Sequence, residues 1–295
     1  MTLLSTVRLV LLAAIWGGAF LIIRIAVPVV GPVPLIGCRV GLAAIFLTVA
    51  AKATGRAGLN IARHWRHYLI VGTLQGVVPF LLYGYAAQTL CASVLTILNA
   101  TSPIWGAVIE AAISRRPLER ATVLGLVLGV TGVGLIVGLD RNALRPEVEA
   151  AILACLMAAL CYGIAATYAK TARAVDSFCT AHGSMWAATV IVLPLVVLAP
   201  PSSLPGAHVI VAVLVLGVVC TGFAFLLFFR LIHDIGAGAA LTVTFLIPLF
   251  GIAWGGIFLG EKVGWNTVAG SLLIISATAL VTGRLGYAVR RNAER

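Results

Sequence analysis

Acidic residues are scarce in this chain, nine of 295, and none lies near the middle of an apolar run. Proton relays in pumps place carboxylates or histidines inside the membrane, and the one buried candidate, His182, stands near the start of its run. A dedicated carboxylate proton site is therefore not expected, which leaves facilitated efflux or exchange. Charge of either sign is thin, 10% of residues against about 25% in soluble domains, and 61% are hydrophobic against roughly 45–50%. That balance excludes a soluble globular chain. Cysteine pairs at metal or redox spacing are missing too. Cys38, Cys91, Cys155, Cys161, Cys179 and Cys220 all fall inside or at the ends of apolar runs, with no Cys-x-x-Cys, so they read as packing residues, with no metal and no cofactor expected. The first eight residues carry no small-x-small cleavage pattern, so the first span is expected to be retained.

What is present is length in apolar sequence. Ten runs can be marked: Val7 to Ala26, Val33 to Ala51, Tyr68 to Ala87, Cys91 to Ile113, Ala121 to Gly138, Val148 to Ala169, Ser177 to Ala199, His208 to Ile232, Gly236 to Leu259 and Thr267 to Leu285. Spans need about 20 residues each, so the chain reads as an all-α membrane protein with ten transmembrane helices. An even count puts both termini on one side. Fifteen of the twenty basic residues fall on that side, and only Arg141, Arg145 and Lys262 on the other, with Arg24 and Arg39 inside spans. Lys and Arg collect in cytoplasmic loops, which predicts cytoplasmic termini in a plasma membrane. It also explains the net charge of +11 without nucleic acid.

The chain carries one pattern twice. Shifted by 145 positions, Pro103 falls on Pro248, Gly106 on Gly251, Thr122 on Thr267, Gly125 on Gly270 and Leu135 on Leu280; at 146, Trp16 falls on Tyr162 and Gly17 on Gly163. Five spans per copy is an odd number, so the second copy, 147–295, is expected upside down relative to the first, 1–146. Inverted-topology repeats of this kind build many secondary transporters. Gly72/Gly76, Gly125/Gly129, Gly134/Gly138, Gly251/Gly255 and Gly256/Gly260 are spaced to let helix backbones approach closely.

Trp16-Gly17 in the first span, Arg39 in the second, Pro103 in the fourth, and Pro248 followed by Gly260-Glu261 and Gly270 resemble the EamA family of the drug/metabolite transporter superfamily. The resemblance implies ten helices in two inverted five-helix repeats, a central cavity, and export of amino acids or other small metabolites. One position departs from it. Where many members carry a glutamate in both loops before a repeat's last helix, the equivalent of Glu261 is Arg116 here.

Pro103 and Pro248 each lie near the middle of their runs and free the helical carbonyls of Asn99 and Thr244. Interrupted helices at the midplane are where transporter sites tend to lie. Thr96, Asn99, Pro103, Gly106 and Glu110 share one face of the fourth helix, and Gln75, Pro79 and Tyr83 one face of the third; the latter map to Cys220, Ala224 and Phe228. Trp16, Tyr83, Trp105, Tyr162 and Trp254 add aromatic surface. The expected substrate residues are therefore Trp16, Gln75, Pro79, Tyr83, Asn99, Pro103, Trp105, Tyr162, Phe228, Thr244, Pro248 and Trp254, with Arg39 as a charged candidate; Arg24 and Arg39 either face the cavity or snorkel to the interface. Helices three, four, eight and nine would form the site, and one and six would add aromatics.

The function expected is a monomeric exporter of small molecules, amino acids including large neutral and aromatic ones, with a nucleoside or sugar derivative as the alternative. An intramembrane enzyme would need a paired nucleophile and base at the midplane. His182 and Ser184, close neighbours on one helix, do not supply it.

Overall fold

The computed structural model describes residues 2–55, 58–115, 117–118, 120–138, 146–171, 175–201, 203–236 and 240–293. Arg116 and most of the stretch joining the two copies lie outside them. The described residues form helices without a strand: α1 (Leu3–Val30), α2 (Pro32–Ala53), α3 (Ile61–Ala86), α4 (Ala92–Ser114), α5 (Arg120–Gly138), α6 (Pro146–Thr171), α7 (Ser177–Leu198), α8 (Ala207–Ile235), α9 (Val243–Leu259) and α10 (Trp265–Ala293). Seven of these are long and apolar enough to cross a membrane. Shorter apolar helices cover Thr122–Ile136, Val243–Leu259 and Trp265–Val281. Large apolar side chains such as Val130, Val197, Leu198 and Ile257 stand outward and exposed, as a surface solvated by lipid requires.

Local chemistry sets the ends. Thr2 accepts from Ser5 N and caps α1, while Asp176 accepts from Phe178 N and Cys179 N and caps α7. Between α1 and α2 the chain turns on Gly31 alone, at φ 87°, a conformation that favours glycine, and Pro32 then starts α2, where its missing N–H costs nothing. Near the N-terminus, Arg8 of α1 pairs with Asp234 of α8, which Arg230 also reaches at 3.2 Å.

Two helices change pitch partway. α3 is π-helical over Gly72–Val77 and α8 over Val215–Phe223, and these segments are related by the 145-residue shift. Their contacts are related as well. A side chain at Gly72 would meet the carbonyl of Ser184 at 2.7 Å, and one at Gly217 would meet the carbonyl of Arg39 at 3.1 Å; Gly217 is 145 positions after Gly72, and Ser184 is 145 after Arg39. α3 thus leans on α7 as α8 leans on α2. A second exchanged pair joins α1 to α9 and α6 to α4. A Cβ at Gly17 would lie 3.0 Å from Gly251 N, and one at Gly163 2.8 Å from Gly106 N.

Not every glycine spaced by four serves packing. Gly134 has open space on its Cβ side, and Gly260, at φ 63°, ends α9 rather than lining a helix contact.

Candidate functional site

The largely aliphatic core of the bundle holds an aromatic cluster. Tyr83 of α3 is 1% exposed, meets Phe20 of α1 edge-on with ring centroids 5.2 Å apart, and stacks on Tyr162 of α6 at 6.3 Å. Its hydroxyl donates to Oδ1 of Asn99 on α4, 3.0 Å away. Trp16 packs on this cluster and also meets Phe228 of α8 at 5.3 Å. Four helices, with residues as far apart in sequence as Trp16 and Phe228, therefore present one aromatic wall with an amide set into it.

Arg39 extends the wall. It is 7% exposed, its Nε donates to Thr221 Oγ1 at 3.0 Å, and its guanidinium lies 3.5 Å from the centre of the Phe80 ring. Tyr162 and Cys220 are within electrostatic reach. Thr221 passes the bond on to the Leu216 carbonyl, five residues back and inside the π-helical segment. No carboxylate pairs with Arg39 among the described residues. Burying a cation costs several kcal/mol. A desolvated cation–π contact returns about 2 kcal/mol and a hydrogen bond to a charged group about 1.5–3. The guanidinium is held in place but has no counter-charge among the described residues. Snorkelling does not describe it. Arg24, by contrast, donates to the carbonyls of Ala87 and Gln88 at the end of α3.

The prolines behave differently from one another. α4 is interrupted at Ala100 and Thr101, and Pro103 opens its second part. The freed Asn99 carbonyl is not open, because Ser102 Oγ donates to it at 2.6 Å. Pro248 is buried inside a continuous α9, whose first residues follow a turn at Leu241–Thr242. Thr244 sits in that first turn with its hydroxyl on the Leu241 carbonyl, 2.8 Å away. The expectation of two matching helix breaks is corrected here: the first half breaks just before its proline, the second well before it, since the turn upstream of α9 already absorbs the irregularity. Replacing Pro103 by alanine should accordingly change stability by less than about 1 kcal/mol, because a proline at a helix start forfeits no bond; a melting-temperature comparison checks it.

Of the other expected residues, Pro79 is buried where α3 regains its regular pitch, and Gln75 lies half-buried in the π-helical turn with no hydrogen bond among the described residues. Trp105 stands beside Gly163, the residue after Tyr162: a Cβ at Gly163 would lie 2.9 Å from Trp105 Cβ. Trp254 donates from Nε1 to the Ala14 carbonyl at 3.0 Å and meets Phe250 and Phe258. Thus Trp16, Tyr83, Asn99, Tyr162 and Phe228 come together with Arg39, while Thr244 and Trp254 make their hydrogen bonds elsewhere.

Two cavities open elsewhere, one of about 440 Å³ at Thr48, Lys52, Asn60, His182 and Trp186, the other of about 380 Å³ at Arg24, Pro28, Cys91, Leu259 and Glu261. His182 in the first bonds Thr48, and Ser184 bonds the Ala181 carbonyl, so the two do not form a catalytic pair.

Compared with known proteins, the sequence matches the EamA-like transporter family twice, over residues 4–138 and 149–283. The chain belongs to the EamA-like transporter family. It is 26% identical over 274 residues to the uncharacterized transporter YoaV of Bacillus subtilis (strain 168), covering 88% of this chain and 90% of that one. It is 24% identical over 280 residues to the uncharacterized transporter YvbV of the same organism, covering 94% and 91%. A solved crystal structure superposes with a TM-score of 0.67 at 18% identity, over 99% of this chain and 98% of that one, which shows the fold. This EamA-like protein is a multi-pass membrane transporter and not an enzyme.

In this transporter Glu261 has a role that sequence alone did not reveal. Its carboxylate accepts from Ala92 N at 2.7 Å, Ser93 N at 3.1 Å and Ser93 Oγ at 2.5 Å. The loop after α9 thus caps the first turn of α4, where free N–H groups and the helix dipole favour an anion. Phe20, Phe80 and Thr221 were missed as well. Each is an ordinary residue of an apolar run, and only its neighbour gives it a part.

Proposed function

We propose that this transporter exports small metabolites, amino acids including large neutral and aromatic ones, by alternating access. Its halves, residues 1–146 and 147–295, would be inverted repeats of five crossings each, and the chain would act as a monomer in the plasma membrane with both termini cytoplasmic. The observation that carries the reading is the Trp16, Tyr83, Tyr162 and Phe228 wall with the Asn99 amide and the Arg39 guanidinium at its edges. An apolar or aromatic side chain stacks on such a wall, and the polar groups take the substrate's polar end. Tyr83 fills the middle when the helices are packed as they are here, so substrate entry requires α3 and α4 to part from α6. The exchanged contacts of the glycine pairs are the surfaces on which such rocking would turn.

Counterflow in proteoliposomes tests this directly. Vesicles loaded with unlabelled phenylalanine should accumulate the labelled form transiently, and a panel of amino acids should compete, the large neutral ones best. Absence of exchange for every amino acid would end the substrate assignment. Tyr83→Phe removes the donor to Asn99 and should lower stability by about 1 kcal/mol while raising the half-saturation concentration; an unchanged transport curve would place Tyr83 outside the path.

A further inference from the structure

We propose that Arg39 is the carboxylate receptor of the transport site, its two Nη groups gripping an acidic group of the substrate while the aromatic wall receives the apolar part. This rests on the reading of the chain as a carrier of organic metabolites and narrows it: the cargo carries a carboxylate, and amines of the same shape without one are refused.

Three observations lead there. The guanidinium is fixed in direction, with Nε tied to Thr221 and the Phe80 ring beneath its plane. Only Nε is engaged. Nη1 and Nη2 donate to nothing among the described residues, yet no sealed side-chain nitrogen or oxygen there lacks a partner, so both keep contact with accessible space. Finally, the charge has no counterpart among the described residues. The described ion pairs gather at Asp234, with Arg8, Arg230 and His233 around it, and none reaches Arg39. A planar fork of two free N–H groups, pre-aimed and uncompensated, fits a carboxylate in bidentate fashion. The arrangement is also one-sided. Position 184, related to Arg39 by the repeat, is a serine whose hydroxyl is bound to the Ala181 carbonyl, so the site has a single cationic pole and orients an asymmetric substrate. The Tyr162 and Tyr83 rings continue from that pole toward Asn99.

The test uses the full-length protein in proteoliposomes with labelled phenylalanine as the counterflow probe. Two competitors keep the ring and lose one end each: 3-phenylpropionate lacks the amine, phenethylamine lacks the carboxylate. The carboxylate should compete at least about tenfold better than the amine; equal or reversed competition overturns the proposal. Arg39→Gln should raise the half-saturation concentration for phenylalanine about 30-fold or more, the scale of removing one partner of a buried charged pair, and abolish the preference between the two competitors. Thr221→Ala should keep that preference. If Arg39→Gln slows transport but leaves the preference intact, Arg39 only positions the π-helical segment and the proposal fails. Should Arg39→Gln not fold, the wild-type competition decides alone. If the wild type exchanges no amino acid, amino acid export is wrong, and the Arg39 assignment is read from melting temperature. A rise with 3-phenylpropionate and none with phenethylamine supports it, whereas a rise with inorganic phosphate alone overturns it.

Discussion

Glu261→Ala should lower stability by about 2–4 kcal/mol and reduce transport with it. Two backbone donors, on Ala92 and Ser93, lose their acceptor, and both residues are essentially buried, at 0% and 1% exposure. A buried donor left without a partner costs roughly 1–3 kcal/mol. The sum stays below the upper limit because Glu261 borders the cavity of about 380 Å³, through which water can reach part of the exposed turn. Glu261→Gln should lie between, about 1–2 kcal/mol, since an amide oxygen still accepts but the charge facing the helix dipole is gone. Thermal unfolding in detergent, followed by tryptophan fluorescence or by loss of the monodisperse chromatographic peak, measures all three proteins. A melting temperature for Glu261→Ala equal to that of the wild type would mean that the cap contributes nothing.

Gly163→Leu should be at least as damaging. The first carbon of any side chain there would stand 2.8 Å from the Gly106 nitrogen, 2.9 Å from Trp105 Cβ and 3.0 Å from the Trp105 carbonyl carbon. These are largely backbone atoms of the facing helix, so no rotamer relieves the clash and α6 must move off α4. Overpacking costs typically 1–3 kcal/mol where side chains can yield, and about 3 kcal/mol or more is expected where they cannot. Tyr162 is the preceding residue, so the displacement also pulls the stacked ring away from Tyr83. Gly134→Leu is the matched control. It meets nothing within 4 Å and replaces a residue that costs about 0.8–1.0 kcal/mol in a helix, so it should be neutral or mildly stabilising. Similar melting temperatures for the two variants would contradict the assignment of the α4–α6 contact.

How far the sequence reached can be judged at particular residues. The repeat was legible because both copies hold matching prolines and glycines, and the contacts at Gly72 and Gly217, 145 apart, or at Gly17 and Gly163, 146 apart, fall where it puts them. Trp16, Tyr83, Tyr162 and Phe228 were legible as aromatic positions at compatible depths. What a sequence cannot display is which side of a helix faces a partner from a distant stretch. Arg39 could have reached toward the membrane surface, and only the positions of Phe80 and Thr221 decide that it does not. The helix breaks were misjudged for a related reason: a proline reports a missing donor, but Ser102 and the turn at Leu241–Thr242 determine where the chain yields. Glu261 was visible as a motif residue, while its acceptors' partners lie 169 and 168 residues earlier.

That separation sets a schedule for biosynthesis. When the ribosome has finished α4, the acceptor for its first turn does not yet exist, and at roughly 5–20 residues per second it emerges only about 7–30 s later. Until then the nascent chain carries two unanswered amide protons at the head of α4 and a bare glycine face on α1 awaiting α9. The early part of this protein must therefore be tolerated by the insertion machinery in an unfinished form, and its last loop is what completes it.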